Sequence, residues 1–229
     1  MSWFDTARFA NWMTNGQGGG STEAGAYDLA TAAPGVAPAK TPGATFYIPT
    51  ENEWYKAAYY SPNYGEVGVA GYYDYATQSD TAPGNIVGST ANQANYKNGV
   101  YSVTQSSSYS LSQNYLTDVG AFSGSGSFYG TFDQSGNVFQ WNDLDGLASS
   151  GSSRGLRGGP WSDVAFDLSS SFRNTSAPSY EGVGGVGFRL ASPVAVPEPS
   201  TWVMGLAGLA CAAWGTWRRR LRQAPTLTA

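Results

Sequence analysis

From Asn63 to Ser135 the chain is crowded with Tyr, Gly and Ser and carries no long hydrophobic period. Such a stretch offers only brief β-like pieces between loops, and loops of that length in a compact domain need ions or aromatic packing to tie them down. The regular structure must come from either side. Residues 2–15 read as an amphipathic helix: Ser2 and Asp5 have capping-box spacing, Trp3, Ala7 and Ala10 share a face, and Gly16 suits the C-terminal stop. PTENEWYKAAYYSP reads as a second helix, started by Thr50 with Glu53, turning Trp54, Ala57 and Ala58 inward, and stopped by Pro62. Short strands are predicted at FYI (46–48), NVFQW (137–141), RGLRGG (154–159) and VGFRL (186–190). Two helices, short strands and long ordered loops make an α+β domain.

Two scarcities limit the chemistry. The chain has no histidine, which removes the commonest general base and every imidazole metal ligand. Its single cysteine, Cys211, lies in a C-terminal apolar run, so the body has neither a disulfide nor a thiol. Carboxylates, Tyr, Arg, Lys or a hard metal must supply any reactivity, and oxygen ligands favour calcium. Charge is segregated as well. Four of the 12 basic residues are Arg218, Arg219, Arg220 and Arg222, which leaves 8 basic against 16 acidic groups in residues 1–200, a net of −8. A body of that charge cannot neutralise a phosphate backbone, so nucleic acid is not an expected partner.

Trp202 to Trp217 carries no charge and shows no polar face. As a helix it would be roughly 24 Å long, short of the ~30 Å hydrocarbon core, with Trp202, Trp214 and Trp217 near its ends. The arginines that follow predict a membrane span with the body outside the cytoplasm. Pro197, Glu198 and Pro199, then the apolar run, then Arg218, Arg219 and Arg220, resemble the PEP-CTERM sorting signal. That resemblance implies export, anchoring in the inner membrane, cleavage near Pro197–Pro199 by an exosortase-type protease, and delivery to the envelope or extracellular matrix. The start, MSWFDTARF, has no basic n-region and no apolar h-region, so a start assigned too late, or a fragment, is the expectation.

SWFDTARFANW, FYIPTENEWYKAAYY, GTFDQSGNVFQW, RGLRGGPWSD and GVGFRLA, in that order, resemble the sulfatase-modifying factor family, which includes the formylglycine-generating enzyme. The resemblance implies a fold related to C-type lectins over 1–192, in a domain that normally begins further upstream, so an N-terminally truncated domain is the expectation. A proline-rich linker at 193–201, a transmembrane helix at 202–217 and a basic cytoplasmic tail at 218–229 would follow. It also implies two cysteines just after the RGG motif to hold copper(I). Here those positions fall on Asp163 and Leu168, and neither side chain replaces a soft thiolate, so copper is not expected. A family calcium site maps to Asp133, Gly136, Val138 and Gln140, with one carboxylate left, compatible with a weak site.

Three other motifs carry less. GVGGVG at 182–187 is followed by a strand and prolines rather than a helix, so it reads as a turn. WND at 141–143 has the residues of a lectin sugar ligand set without its partner loop. Asp163 and Asp167, four apart, could serve acid–base chemistry only if they converged. The reading that follows is a non-catalytic binding or structural module, with exopolysaccharide or another surface component as its ligand. The alternative is an oxidoreductase of the same family with altered chemistry.

Overall fold

The computed structural model describes residues 1–145, 153–182 and 184–193. Both helices form where their capping boxes predict. Helix α1 (Trp3–Thr14) begins with Ser2 Oγ accepting from the Asp5 amide at 3.2 Å while Asp5 Oδ2 accepts from the Ser2 amide at 2.9 Å. Two orphan donors of the first turn are thereby satisfied, a device whose loss typically costs about 1 kcal/mol. The buried face is Trp3, Thr6, Ala7, Ala10 and Asn11, at helical spacing. Asn11 then fastens a loop. Its amide nitrogen donates to the carbonyls of Thr22 and Tyr27, and its oxygen accepts from the Tyr27 amide at 2.7 Å.

Helix α2 (Glu51–Tyr59) is started by the Thr50–Glu53 box and buries Glu51, Trp54, Ala58 and Tyr59. It ends before Pro62 can stop it, because Tyr60 turns extended and enters strand β1 (Tyr60–Ser61), paired antiparallel with β2 (Gly71–Tyr72). A second two-residue hairpin joins β3 (Lys97–Asn98) to β4 (Val100–Tyr101) through Gly99, whose φ of +71° suits glycine.

The main sheet has four strands in the order β7-β6-β5-β8, made of β5 (Phe139–Asn142), β6 (Arg154–Arg157), β7 (Asn174–Ser176) and β8 (Val186–Gly187). Strand β6 runs antiparallel to both β5 and β7, while β8 adds parallel to β5 with Phe139 opposite Val186. Trp141 pairs with Leu156, and both enter a core with Trp3, Tyr27 and Ile48. A 3-10 turn, Ala165–Leu168, follows β6.

Two predicted strands shrink. FYI keeps one bridge, Tyr47 with Ala191, because the Ile48 amide goes to the Tyr27 hydroxyl instead of a neighbouring strand. VGFRL keeps only Val186–Gly187 as a strand, and the Arg189 side chain beyond it donates to Gln140.

One buried ion pair fastens the sheet to the N-terminal loops. Arg154, fully buried, lies 2.7 Å by its Nε from Asp143 Oδ1, and its Nη2 donates to the carbonyls of Ala37 and Pro38. The pair is attractive enough to offset part of the burial cost on the Asp143 carboxyl. The guanidinium also lies over the Trp3 ring, 5.0 Å from its centroid.

The chain divides into two units, Met1–Ala191 and Ser192–Ala229. The expected span Trp202–Trp217 and the sorting residues Pro197, Glu198, Pro199, Arg218, Arg219 and Arg220 lie outside the described residues. Among the described residues no helix is long and apolar enough to cross a membrane.

Candidate functional site

The region after β6 is built around two glycines. Gly158 and Gly159 have φ of +96° and +70°, and a Cβ on Gly159 would sit 2.7 Å from Leu168 Cδ1 and 3.0 Å from the Asp167 carbonyl. The tight turn therefore requires Gly, and it delivers Trp161, Ser162 and Asp163 beside the β3–β4 hairpin. The Lys97 amide donates to the Asp163 carbonyl at 2.9 Å, and the Trp161 amide to the Asn137 carbonyl at 3.0 Å.

Arg157, just before the glycines, holds the region to helix α2. Its Nε donates to Glu51 Oε1 at 2.8 Å and its Nη1 to the Ser170 carbonyl at 2.8 Å, so one guanidinium ties the helix start to the segment after the 3-10 turn. Arg173 donates to the other oxygen of Glu51. Burial pushes the Glu51 carboxyl up, but the bonds and charges of Arg173 and Arg157 outweigh it and hold the group below its ordinary value.

The two positions aligned with the copper thiolates have different surroundings. Leu168 is fully buried and packs with Ala94 and Tyr96, while its carbonyl accepts from the Tyr59 hydroxyl at 3.2 Å. Asp163 is half-buried and accepts from Ser162 Oγ at 3.1 Å. Burial raises its carboxyl above the ordinary value, and the charge of Asp167 adds to the rise. The two aspartates feel one another electrostatically, but neither is the other's hydrogen-bond partner.

The four residues read as calcium ligands are close in the fold but already engaged. Gln140 Nε2 donates to the Asp133 carbonyl at 2.6 Å, and Gln140 Oε1 accepts from Trp54 Nε1 at 2.9 Å and from Arg189 Nε at 2.8 Å. Asp133 Oδ2 accepts from the Gly120 amide at 2.7 Å. The Gly136 carbonyl takes the Val138 amide, and a Cβ on Gly136 would strike the Asn95 carbonyl. Calcium takes six to eight oxygens and gains from several negative charges. This set has a single carboxylate, and its one amide oxygen faces a guanidinium. As arranged, Asp133, Gly136, Val138 and Gln140 offer a calcium ion a poor fit.

Asn142 and Asp143 of the WND stretch are buried, at 0% and 3% exposed, and face the core instead of a saccharide. A cluster that the motifs did not foretell lies beside Asp163. Trp161 stacks on Tyr115 at 4.7 Å between centroids with planes 10° apart, and Tyr109 lies 5.6 Å from Tyr115 and 6.2 Å from Trp161, both near-parallel. Tyr101 closes the group at 5.7 Å from Trp161, with Lys97 Nζ 4.9 Å from its ring centroid. Only the wealth of tyrosine hinted at it, because the rings come from separate segments.

The comparisons with known proteins agree with this architecture. The model of the sulfatase-modifying factor enzyme 1-like domain matches residues 1–194. The chain belongs to that family. Residues 195–220 match the PEP-CTERM protein-sorting motif, a signal that marks a protein for export and is handled by exosortase. Among solved structures, one titled "Crystal Structure of CarF" is 18% identical with a TM-score of 0.51, covering 85% of this chain and 67% of that one. At that identity the likeness concerns the fold alone. Treponema denticola variable protein 1 is 20% identical with a TM-score of 0.46, covering 84% of this chain and 69% of that one. No curated protein matches the chain.

Proposed function

We propose that this chain is an exported surface or matrix protein whose family domain binds a partner and has no formylglycine chemistry. The observation that carries the reading is Leu168. Where a thiolate would be needed, an isobutyl group is packed with Ala94 and Tyr96, and the companion position holds the carboxylate of Asp163. A copper(I) ion needs soft sulfur donors, and a buried hydrocarbon beside an oxygen acid provides none. The sorting motif supports the rest of the account. Export would be followed by anchoring of residues 202–217 in the inner membrane, cleavage near Pro197–Pro199 by an exosortase-type protease, and a final place in the envelope or extracellular matrix. Exopolysaccharide is the partner that suits such an address.

The alternative, an oxidoreductase of the family with altered chemistry, draws support from Asp163 alone, whose raised pKa is the kind of perturbation seen at reacting groups. A turnover assay separates the two. With copper(I), oxygen, a reductant and a cysteine-containing sulfatase-motif peptide, the full chain in detergent is expected to leave the peptide unchanged by mass spectrometry. More than one aldehyde formed per chain would overturn the proposal.

A further inference from the structure

Resting on the binding reading above, we propose that Tyr109 and Trp161, backed by Tyr115 and rimmed by Lys97, Ser162 and Asp163, form the binding face for a neutral hexose unit of a polysaccharide. The first support is the shape of the aromatic group. The three centroids make a triangle with sides of 4.7, 5.6 and 6.2 Å, and the planes lie within 20° of parallel. A ring held between the other two would keep them about 7 Å apart, two carbon contacts of ~3.5 Å each. Every side is shorter than that. The rings therefore form a step, with two of them side by side, and present a flat wider than a single ring.

The second support is that this flat is held in place while remaining open. Tyr109 is 55% exposed and Trp161 is half-buried, whereas Tyr115 beneath them is 4% exposed. The Tyr115 hydroxyl accepts from the Ser110 amide at 2.9 Å and donates to the Ser108 carbonyl at 3.3 Å, clamping both neighbours of Tyr109. Trp161 Nε1 donates to the Gly184 carbonyl at 3.0 Å. Rings fixed before a ligand arrives lose little freedom on binding, and large aromatic faces give contact area at low entropic cost. A sugar ring presents an apolar face of C–H groups with hydroxyls around its edge. It therefore matches an apolar flat bordered by a few polar groups.

The third support is charge. Among the described residues the group has Lys97 beside it, over the Tyr101 ring, and the carboxylate of Asp163, whose carbonyl takes the Lys97 amide. Residues 1–200 carry a net of −8, which repels an acidic polysaccharide and a nucleic-acid strand, the two other polymers that stacked rings could hold. A neutral chain is left.

The test uses the full chain in detergent and three soluble probes: cellohexaose, mannohexaose and the acidic polymer polygalacturonate, followed by calorimetric titration and tryptophan fluorescence. At least one neutral hexaose should bind and perturb the fluorescence. Tyr109→Ala should weaken it by tenfold or more without shifting the melting temperature, and Trp161→Phe, which also gives up the bond to the Gly184 carbonyl, should do so with a melting temperature lower by only a few degrees. Tyr129→Ala removes an exposed aromatic outside this group (48% exposed) and should change nothing. Silence from both neutral probes overturns the inference, and so does a preference for polygalacturonate. Neutral binding that survives Tyr109→Ala and Trp161→Phe overturns the site while leaving a binding function intact. Peptide turnover would instead overturn the underlying reading, so the two failures are distinguishable.

Discussion

Replacing Arg154 with alanine is expected to destabilise the domain by about 3–5 kcal/mol, the cost of breaking a buried ion pair from one side. Arg154 is fully buried, and its removal takes the ion-pair partner from the Asp143 carboxylate, itself 3% exposed. The carbonyls of Ala37 and Pro38 lose a donor as well, and Trp3 loses the cation over its ring. Burial already raises the Asp143 carboxyl above its ordinary value in spite of the attraction of Arg154, so without the arginine the group would take up a proton more readily. A melting temperature lower by on the order of 10 °C should result for a domain of this size. The double variant Asp143→Leu with Arg154→Met should recover most of the loss, because an apolar pair of similar volume avoids the desolvation of both charges. A double-mutant cycle by urea melts reads the coupling directly. If Arg154→Ala cost under 1 kcal/mol, the buried pair would have no part in fastening the sheet.

Glu51→Gln should come next in size, at about 3 kcal/mol, the low end for a broken buried pair, because one of its partners, Arg173, is 64% exposed by its side chain. The variant keeps the shape but leaves the buried Arg157 guanidinium without a counter-charge. The pH dependence follows from the lowered carboxyl. Stability that Glu51 contributes is present above its unfolded value of 4.5 and is lost as pH falls through the folded value. The parent chain should therefore lose stability on acidification below about pH 4.5, and Glu51→Gln should lose less over the same interval. Urea melts at pH 7 and pH 3 check both statements. Equal acid sensitivity in the two proteins would remove Glu51 from the account.

What the sequence made legible was local. Ser2 with Asp5 and Thr50 with Glu53 place both helix starts to the residue, because a capping box is a contact between neighbours in the chain. Strands β5 and β6 were readable from NVFQW and RGLRGG, where alternation and Gly punctuation coincide. The β3–β4 hairpin was not, since four paired residues around Gly99 leave no pattern to read. Glu51 looked like an ordinary acid of a first helical turn. Its partners Arg157 and Arg173 are more than 100 residues away, and only the folded sheet brings them to it. The aromatic face was hidden for the same reason, assembled from Tyr109, Tyr115 and Trp161. Spacing likewise does not carry the chemistry at Gln140, whose Oε1 takes donors from Trp54 and Arg189.

The proposal that the domain has no soft-metal site has one direct measurement. Copper(I) can be titrated anaerobically into the full-length Cys211→Ser variant, which has no thiol and no histidine, against a competing copper(I) chelator. The account predicts that the chelator keeps all the copper. A chain that instead withholds one equivalent of copper(I) would show that the pocket around Asp163 and Leu168 holds the metal without sulfur.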